Sequence, residues 1–193
     1  ADEHGTITQL VEKPQKFVSD QALVGIYWIT DTESLIRNLN KLIKEDIRTR
    51  GEYQLTDGLA FMMSEDHIKF TATGIKEWLD CGKPETLIET NAKVLEGNHS
   101  VSAHAKLENC EIIEPCFIGP GVQAKDCKIG PNVSVFAGCE LNDSVLMDSI
   151  IDQDSQIVHC QLNEAIIGKS CTIQGQSGRL SVGDHSMIGC EYL

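Results

Sequence analysis

The chain has 193 residues, enough for one large domain or two small ones. Apolar residues make up 41% and charged residues 23%, proportions that exclude a disordered or collagen-like chain. Lys and Arg number 16 against 29 Asp and Glu, and the resulting net charge of −13 repels phosphate backbones and anionic lipid, so no nucleic-acid or membrane partner is expected.

In chain order, residues 7–12 and 23–29 are rich in β-branched and aromatic side chains and read as strands. Thr30-x-x-Glu33 has the form of a capping box, and Leu35, Ile36, Leu39, Leu42, Ile43 and Ile47 then mark one face of an amphipathic helix. Thr56 is placed to cap a shorter helix running to Met63, and residues 68–72 alternate like a strand. Pro84 suits the first turn of a helix reaching about Leu95, with Leu87, Ile88 and Leu95 facing inward. Strands alternating with helices indicate an α/β layer. The composition changes after Glu96, which divides the chain into domains 1–96 and 97–193.

The second half repeats. Val101, Leu107, Ile113, Ile118, Ala124, Ile129, Val135, Leu141, Leu146, Ile151, Ile157, Leu162, Ile167 and Ile173 follow one another at steps of five or six. Several carry a fuller motif, such as Ile118-Gly119-Pro120-Gly121-Val122 and Ile129-Gly130-Pro131-Asn132-Val133. This is the hexapeptide signature of a left-handed parallel β-helix, in which each short strand points one aliphatic side chain into a triangular prism. Fourteen rungs at three per coil predict between four and five coils, with residues 174–181 as an interrupting loop before Val182 and Ile188 resume the ladder.

The eight cysteines are Cys81, Cys110, Cys116, Cys127, Cys139, Cys160, Cys171 and Cys190, no two spaced C-x-x-C, so a zinc or thioredoxin-like site has no support. Most read as small core residues in a reduced, cytoplasmic setting. The chain starts Ala1-Asp2-Glu3 without a Met, and is expected to be the later part of a longer protein.

Four segments carry chemistry: Val11-Glu12-Lys13-Pro14, Val24-Gly25-Ile26-Tyr27, Arg50-Gly51-Glu52-Tyr53-Gln54-Leu55-Thr56-Asp57 and Trp78-Leu79-Asp80-Cys81-Gly82-Lys83-Pro84. In this order, and followed by the repeat, they resemble the sugar nucleotidyltransferases, most closely the glucose-1-phosphate thymidylyltransferase type with a C-terminal left-handed β-helix. The resemblance implies that residues 1–96 are the C-terminal part of a Rossmann-like nucleotidyltransferase domain.

It also implies a reaction in which a sugar 1-phosphate attacks the α-phosphorus of a nucleoside triphosphate, giving a nucleotide-sugar (dTDP-glucose for the closest type) and pyrophosphate. Such a site needs fixed cations and Mg²⁺ more than acid–base groups. By the same resemblance Lys13 binds the sugar phosphate and Glu12 accepts hydrogen bonds from sugar hydroxyls. Arg50 is a second phosphate-contacting cation. The resemblance further implies that Val24, Gly25, Tyr27 and Glu52 line the substrate and that Asp80 ligates Mg²⁺; a homo-oligomer is expected. The glycine-rich triphosphate loop of the family does not occur in this sequence, so the chain alone is expected to be inactive. Lys83 stands where shorter members carry Thr.

Other readings of these residues stay open. Asp80 could cap the helix that starts at Pro84, and Arg50 could belong to a solvated charged face. Glu52 and Asp57 could be sugar contacts or helix-entry residues, and Tyr27 could be core only. From other classes, the β-helix could serve as a non-catalytic oligomerisation module. Alternatively, the protein could be a hexapeptide-repeat acyltransferase using His159 or His185 as base.

Overall fold

The computed structural model describes residues 1–12 and 14–189 and divides into two compact units, Ala1–Trp78 and Leu79–Leu193. The first unit is built on two helices, α1 (Thr32–Lys44) and α2 (Leu55–Ser64). The second opens with α3 (Pro84–Leu95) and continues, among the described residues, as seventeen short strands from β1 (Ser100–Val101) to β17 (Met187–Ile188). The second compact unit thus starts at Leu79, ahead of the compositional change after Glu96.

All seventeen strands pair in parallel, each with strands one coil before or after it, in three sheets of six, six and five strands. This is the architecture of the left-handed β-helix that the hexapeptide repeat calls for. It has about six coils, more than the count of aliphatic rungs gave. The additional rungs include β15 (Ser177–Gly178), which pairs with β12 (Gln161–Asn163) through Leu162↔Gly178 inside the stretch expected to be a loop. Glycine at the rung position has no side chain to register in a hydrophobic pattern. One rung also shifts: Ile112, not Ile113, aligns with Ile129.

The interior is the predicted ladder. Ile118, Ile129, Val135, Leu141, Ile151, Ile157, Ile167 and Ile173 are all buried, each such side chain contributing about 1.5–3 kcal/mol relative to exposure. Small residues stack at the corners. Cys110, Cys127, Ser144 and Cys160 follow one another coil by coil, as Glu111 bonds the Cys127 carbonyl, Lys128 that of Ser144 and Val145 that of Cys160. The buried Ser144, Ser149 and Ser155 hydroxyls accept from the backbone N–H one coil on, at Cys160, Ala165 and Cys171 respectively. No buried side-chain polar atom among the described residues lacks a partner. Just before the corners the chain takes positive φ at Asn109, Asp126, Asp143 and His159, one per coil; Asn and Asp tolerate this region best among side-chain-bearing residues. Five described cysteines are buried in this interior, and burial pushes the Cys127 and Cys139 thiols up to about 11. Cys190 lies outside the described residues.

α3 forms as expected, with Pro84 in its first turn and Ile88 and Leu95 buried. Its Asn91 donates to the Asn132 carbonyl (3.0 Å) and accepts from the Ser134 hydroxyl (2.6 Å), which seats it on β7 (Val133–Val135).

The first unit departs more from expectation. The three stretches read as strands form no ladder among the described residues; the first and third meet at the Ile7 N–H on the Phe70 carbonyl (2.9 Å), beside an isolated antiparallel bridge Thr6↔Thr71. Residues 23–29 leave Ile26 79% and Trp28 91% exposed, and Gly25 among them takes φ 81°, outside the strand region. α1 is capped by Asp31, whose carboxylate accepts from the Ser34 N–H (2.9 Å), rather than by Thr30. Its buried line is Ser34, Asn38 and Leu42, while Ile36 and Ile43 are exposed. Polar residues can take the inner face because Asp66 binds both of them: it accepts from the Ser34 hydroxyl and from the Asn38 amide (2.6 Å), with Arg37 at 2.8 Å.

Candidate functional site

The site in the first unit begins where α1 ends. Ile47 N–H bonds the Leu42 carbonyl (2.9 Å) and Asp46 N–H that of Ile43 (3.3 Å), with Asp46 at φ 50°. This is the Schellman closure, with Asp in the place glycine usually takes. Three residues later Thr49 and Glu52 exchange both backbone hydrogen bonds (2.9 and 3.2 Å) around Arg50 at φ 55° and Gly51 at φ 85°. Two central residues with positive φ make a two-residue hairpin of the kind that favours Asn-Gly or Asp-Gly. Arginine in this conformation costs about 1–2 kcal/mol, and it sets the exposed Arg50 at the tip of the hairpin.

The hairpin leads into α2, where the expected roles of Thr56 and its neighbour change. α2 starts at Leu55 behind Gln54, so Thr56 is not the cap. It is buried inside the first turn, and its hydroxyl donates to Glu12 Oε2 (3.2 Å). The adjacent Asp57 accepts from the Thr49 hydroxyl (2.7 Å). Two neighbouring residues of one helix turn therefore hold Glu12 and the Arg50 hairpin. Glu52 is exposed and accepts from the Gln54 amide (2.9 Å), within its own loop.

Of the other expected contacts, Val24 is half-buried, Gly25 has φ 81° with open space where a Cβ would stand, and Tyr27 is 39% exposed, so it is not a core residue. Lys13 lies outside the described residues. The sequence reading missed Thr49 and the Asp46, Arg48 and Tyr53 cluster described below; the Arg-Gly pair at the hairpin was the available signal, weaker than Asn-Gly.

In the second unit Asp80 is exposed. Its Oδ1 accepts from the Gly82 N–H (2.9 Å) and its carbonyl from the Thr90 hydroxyl (3.0 Å). The cap position of α3 is Lys83, so the helix-cap reading of Asp80 does not hold. A side chain on Gly82 would press on Asp80 Oδ1 at 3.1 Å. Among the described residues no three His, Cys, Asp or Glu side chains cluster as a metal cage. A lone exposed carboxylate still fits Mg²⁺, which commonly takes one or two carboxylates, with substrate phosphates and water completing its shell.

His159 and His185 sit at corners of the β-helix with φ 54° and 61°. The His159 ring pairs with Asp143 at 2.8 Å on the surface. No helix among the described residues is long and apolar enough to cross a membrane.

A motif-bearing first unit followed by a β-helix defines a class, and comparison bears it out. The family model for nucleotidyl transferases matches residues 1–97, and the chain belongs to that family. Among individual proteins it is similar to the glucose-1-phosphate thymidylyltransferases of Streptomyces antibioticus (28% identical, 97% of this chain, 58% of the relative) and Streptomyces griseus (26%, 94% and 56%). A third relative is the low-salt glycan biosynthesis nucleotidyltransferase Agl11 of Haloferax volcanii (26%, 97% and 58%). The chain thus spans little more than half the length of these relatives.

Proposed function

We propose that this chain supplies the sugar-1-phosphate side of a nucleotidyl-transfer site that makes a nucleotide-sugar, with dTDP-glucose as the product of the whole protein. The observation that carries this reading is the convergence of Glu12 and the Arg50 hairpin on Thr56 and Asp57, within the region that matches the family. The choice of dTDP-glucose is supported by the two relatives named glucose-1-phosphate thymidylyltransferase.

In this mechanism the sugar phosphate oxygen attacks the α-phosphorus in line and pyrophosphate leaves, so the work of the protein is positioning and charge stabilisation. Glu12, held from one side by Thr56, offers carboxylate oxygen to sugar hydroxyls. Lys13 and Arg50 bind the phosphate, bringing an anion to a chain that is otherwise strongly acidic. Val24, Gly25, Tyr27 and Glu52 border the sugar, and Gly25 allows backbone to approach it closely. Asp80 is the residue assigned to Mg²⁺, which when bound neutralises phosphate charge. The whole protein is assigned to the cytoplasm as a homo-oligomer, with free thiols in keeping with a reducing setting.

Titration of the 193-residue chain with α-D-glucose 1-phosphate, followed by ³¹P NMR, tests the reading. Saturable binding that Arg50→Ala weakens supports it. Absence of binding, or binding indifferent to Glu12→Gln and Arg50→Ala, overturns it. The chain alone is expected to release no pyrophosphate from nucleoside triphosphates with this sugar, and measurable release refutes the one-sided assignment.

A further inference from the structure

The hairpin that presents Arg50 is spanned by a cluster that the reading above does not use. Arg48 sits one residue before the hairpin and Tyr53 one residue after it. The Arg48 guanidinium reaches three partners: Nε donates to Asp46 Oδ1 (2.7 Å), Nη2 to the Tyr53 hydroxyl (3.1 Å) and Nη1 to the Gly51 carbonyl (3.4 Å). The Tyr53 hydroxyl donates in turn to the same Asp46 oxygen (2.6 Å), and its ring lies 4.5 Å from the guanidinium carbon. Tyr53 and Arg48 together hold the Asp46 carboxyl below the usual carboxylate range.

Asp46 is itself fixed, because it is the left-handed residue that closes α1. The cluster thus joins the end of one helix to both stems of the hairpin and to the carbonyl at its tip. Arg50 holds a backbone conformation that a side-chain-bearing residue keeps only where its surroundings over-determine it, and these contacts do so. Exposed ion pairs add little to stability, and Arg48 and Asp46 are 46% and 70% exposed. A cluster of this kind at a strained, exposed arginine is explained by what it aims.

We propose that Asp46, Arg48 and Tyr53 are positioning residues that fix the Arg50 hairpin for binding the phosphate of the sugar 1-phosphate, an inference that rests on the reading of Arg50 given above. Arginine is required at position 48 because only its planar fork reaches three acceptors around one turn.

The experiment compares Tyr53→Phe, Arg48→Lys and Arg50→Ala with the parent chain for α-D-glucose 1-phosphate affinity, the ³¹P shift of the bound sugar phosphate, and melting temperature. Tyr53→Phe keeps the ring under the guanidinium and removes both hydroxyl bonds; Arg48→Lys keeps the charge and loses the fork. Each is expected to weaken binding by about tenfold to a hundredfold, as misplacement of a contact group does, to move the bound ³¹P shift toward that of Arg50→Ala, and to leave the melting temperature unchanged. Unchanged affinity in both variants, with Arg50→Ala impaired, overturns the positioning role and leaves the phosphate reading standing. Lost affinity with an equally lowered melting temperature also overturns it, since the cluster is then only structural. Intact binding in Arg50→Ala removes the phosphate reading itself.

Discussion

The Thr56 hydroxyl donates to Glu12 across 44 positions of sequence, at 3.2 Å, from inside the first turn of α2. That hydroxyl, one residue inside the helix and behind the Gln54 cap position, is turned onto the carboxylate assigned to the sugar.

Thr56→Val keeps the shape of the side chain and removes that bond. Thermal melts are expected to show a loss of about 1 kcal/mol, because Val fills the buried site while Glu12 stays half-exposed to water. Sugar 1-phosphate affinity is expected to fall as well, since Glu12 loses its fixed orientation. Unchanged affinity in a folded Thr56→Val chain would separate Glu12 from the sugar.

Lys13 and Lys83 offer a contrast within one chain. Lys83 serves α3 through its backbone, whose N–H donates to the Thr86 hydroxyl (3.2 Å), so Lys83→Ala is expected to leave ligand affinity as it is. If Lys13 binds the phosphate as proposed, Lys13→Ala is expected to cost about 1.5–3 kcal/mol, between about tenfold and a hundredfold in affinity. Equal effects of the two substitutions in the ³¹P titration would remove the assignment of Lys13.

Asp66 gives the first unit a defined response to acid. The Ser34 hydroxyl, the Asn38 amide and Arg37 hold its carboxyl down to about 2, against an ordinary 3.8. A carboxyl lowered in the folded state stabilises fully above its unfolded value, and that contribution is lost as pH falls through the folded one. The melting temperature of Asp66→Asn is therefore expected to lie below that of the parent at pH 6. The difference should narrow between about pH 4 and pH 2; a gap independent of pH would show that ionisation of Asp66 does not contribute.

Two glycines of the β-helix, Gly130 and Gly175, both have positive φ (109° and 66°), yet their surroundings differ. A Cβ on Gly130 would lie 1.9 Å from the Ile113 carbonyl oxygen, whereas one on Gly175 meets nothing within 4 Å. Gly175→Ala is expected to lose about 1–2 kcal/mol from backbone strain alone. Gly130→Ala should lose roughly 1–3 kcal/mol more from overpacking. Denaturant melts of the two variants measure the difference directly.

Thiol labelling reads out the interior. Cys81 is exposed and Cys110 half-buried, while Cys116, Cys127, Cys139, Cys160 and Cys171 are buried. With Cys127 and Cys139 raised to about 11 by burial, they hold little thiolate at pH 8. A thiol reagent is expected to modify Cys81 first and these five only on unfolding, as mass mapping of the labelled peptides would show.

The β-helix was legible in sequence because its periodicity is a local requirement. Each coil must place one aliphatic side chain per face in the prism, so Ile118, Ile129 and Ile151 announce their burial. The reading failed at Gly178, where the rung has no side chain, and at the adjacent Ile112 and Ile113, where two isoleucines compete for one rung. The roles proposed for Glu12, Arg50 and Asp80 come from the resemblance that the four motifs carry, not from a local periodicity. What composition and spacing could not decide were contacts across the chain. Burial of Ser34 and Asn38 depends on Asp66, 32 and 28 residues away, which makes a polar face affordable inside. Thr56 serves Glu12 rather than its own helix because the fold brings a distant carboxylate within reach. A hydrophobic repeat is written in neighbouring residues, whereas a hydrogen bond between distant polar groups exists only once the chain has folded around it.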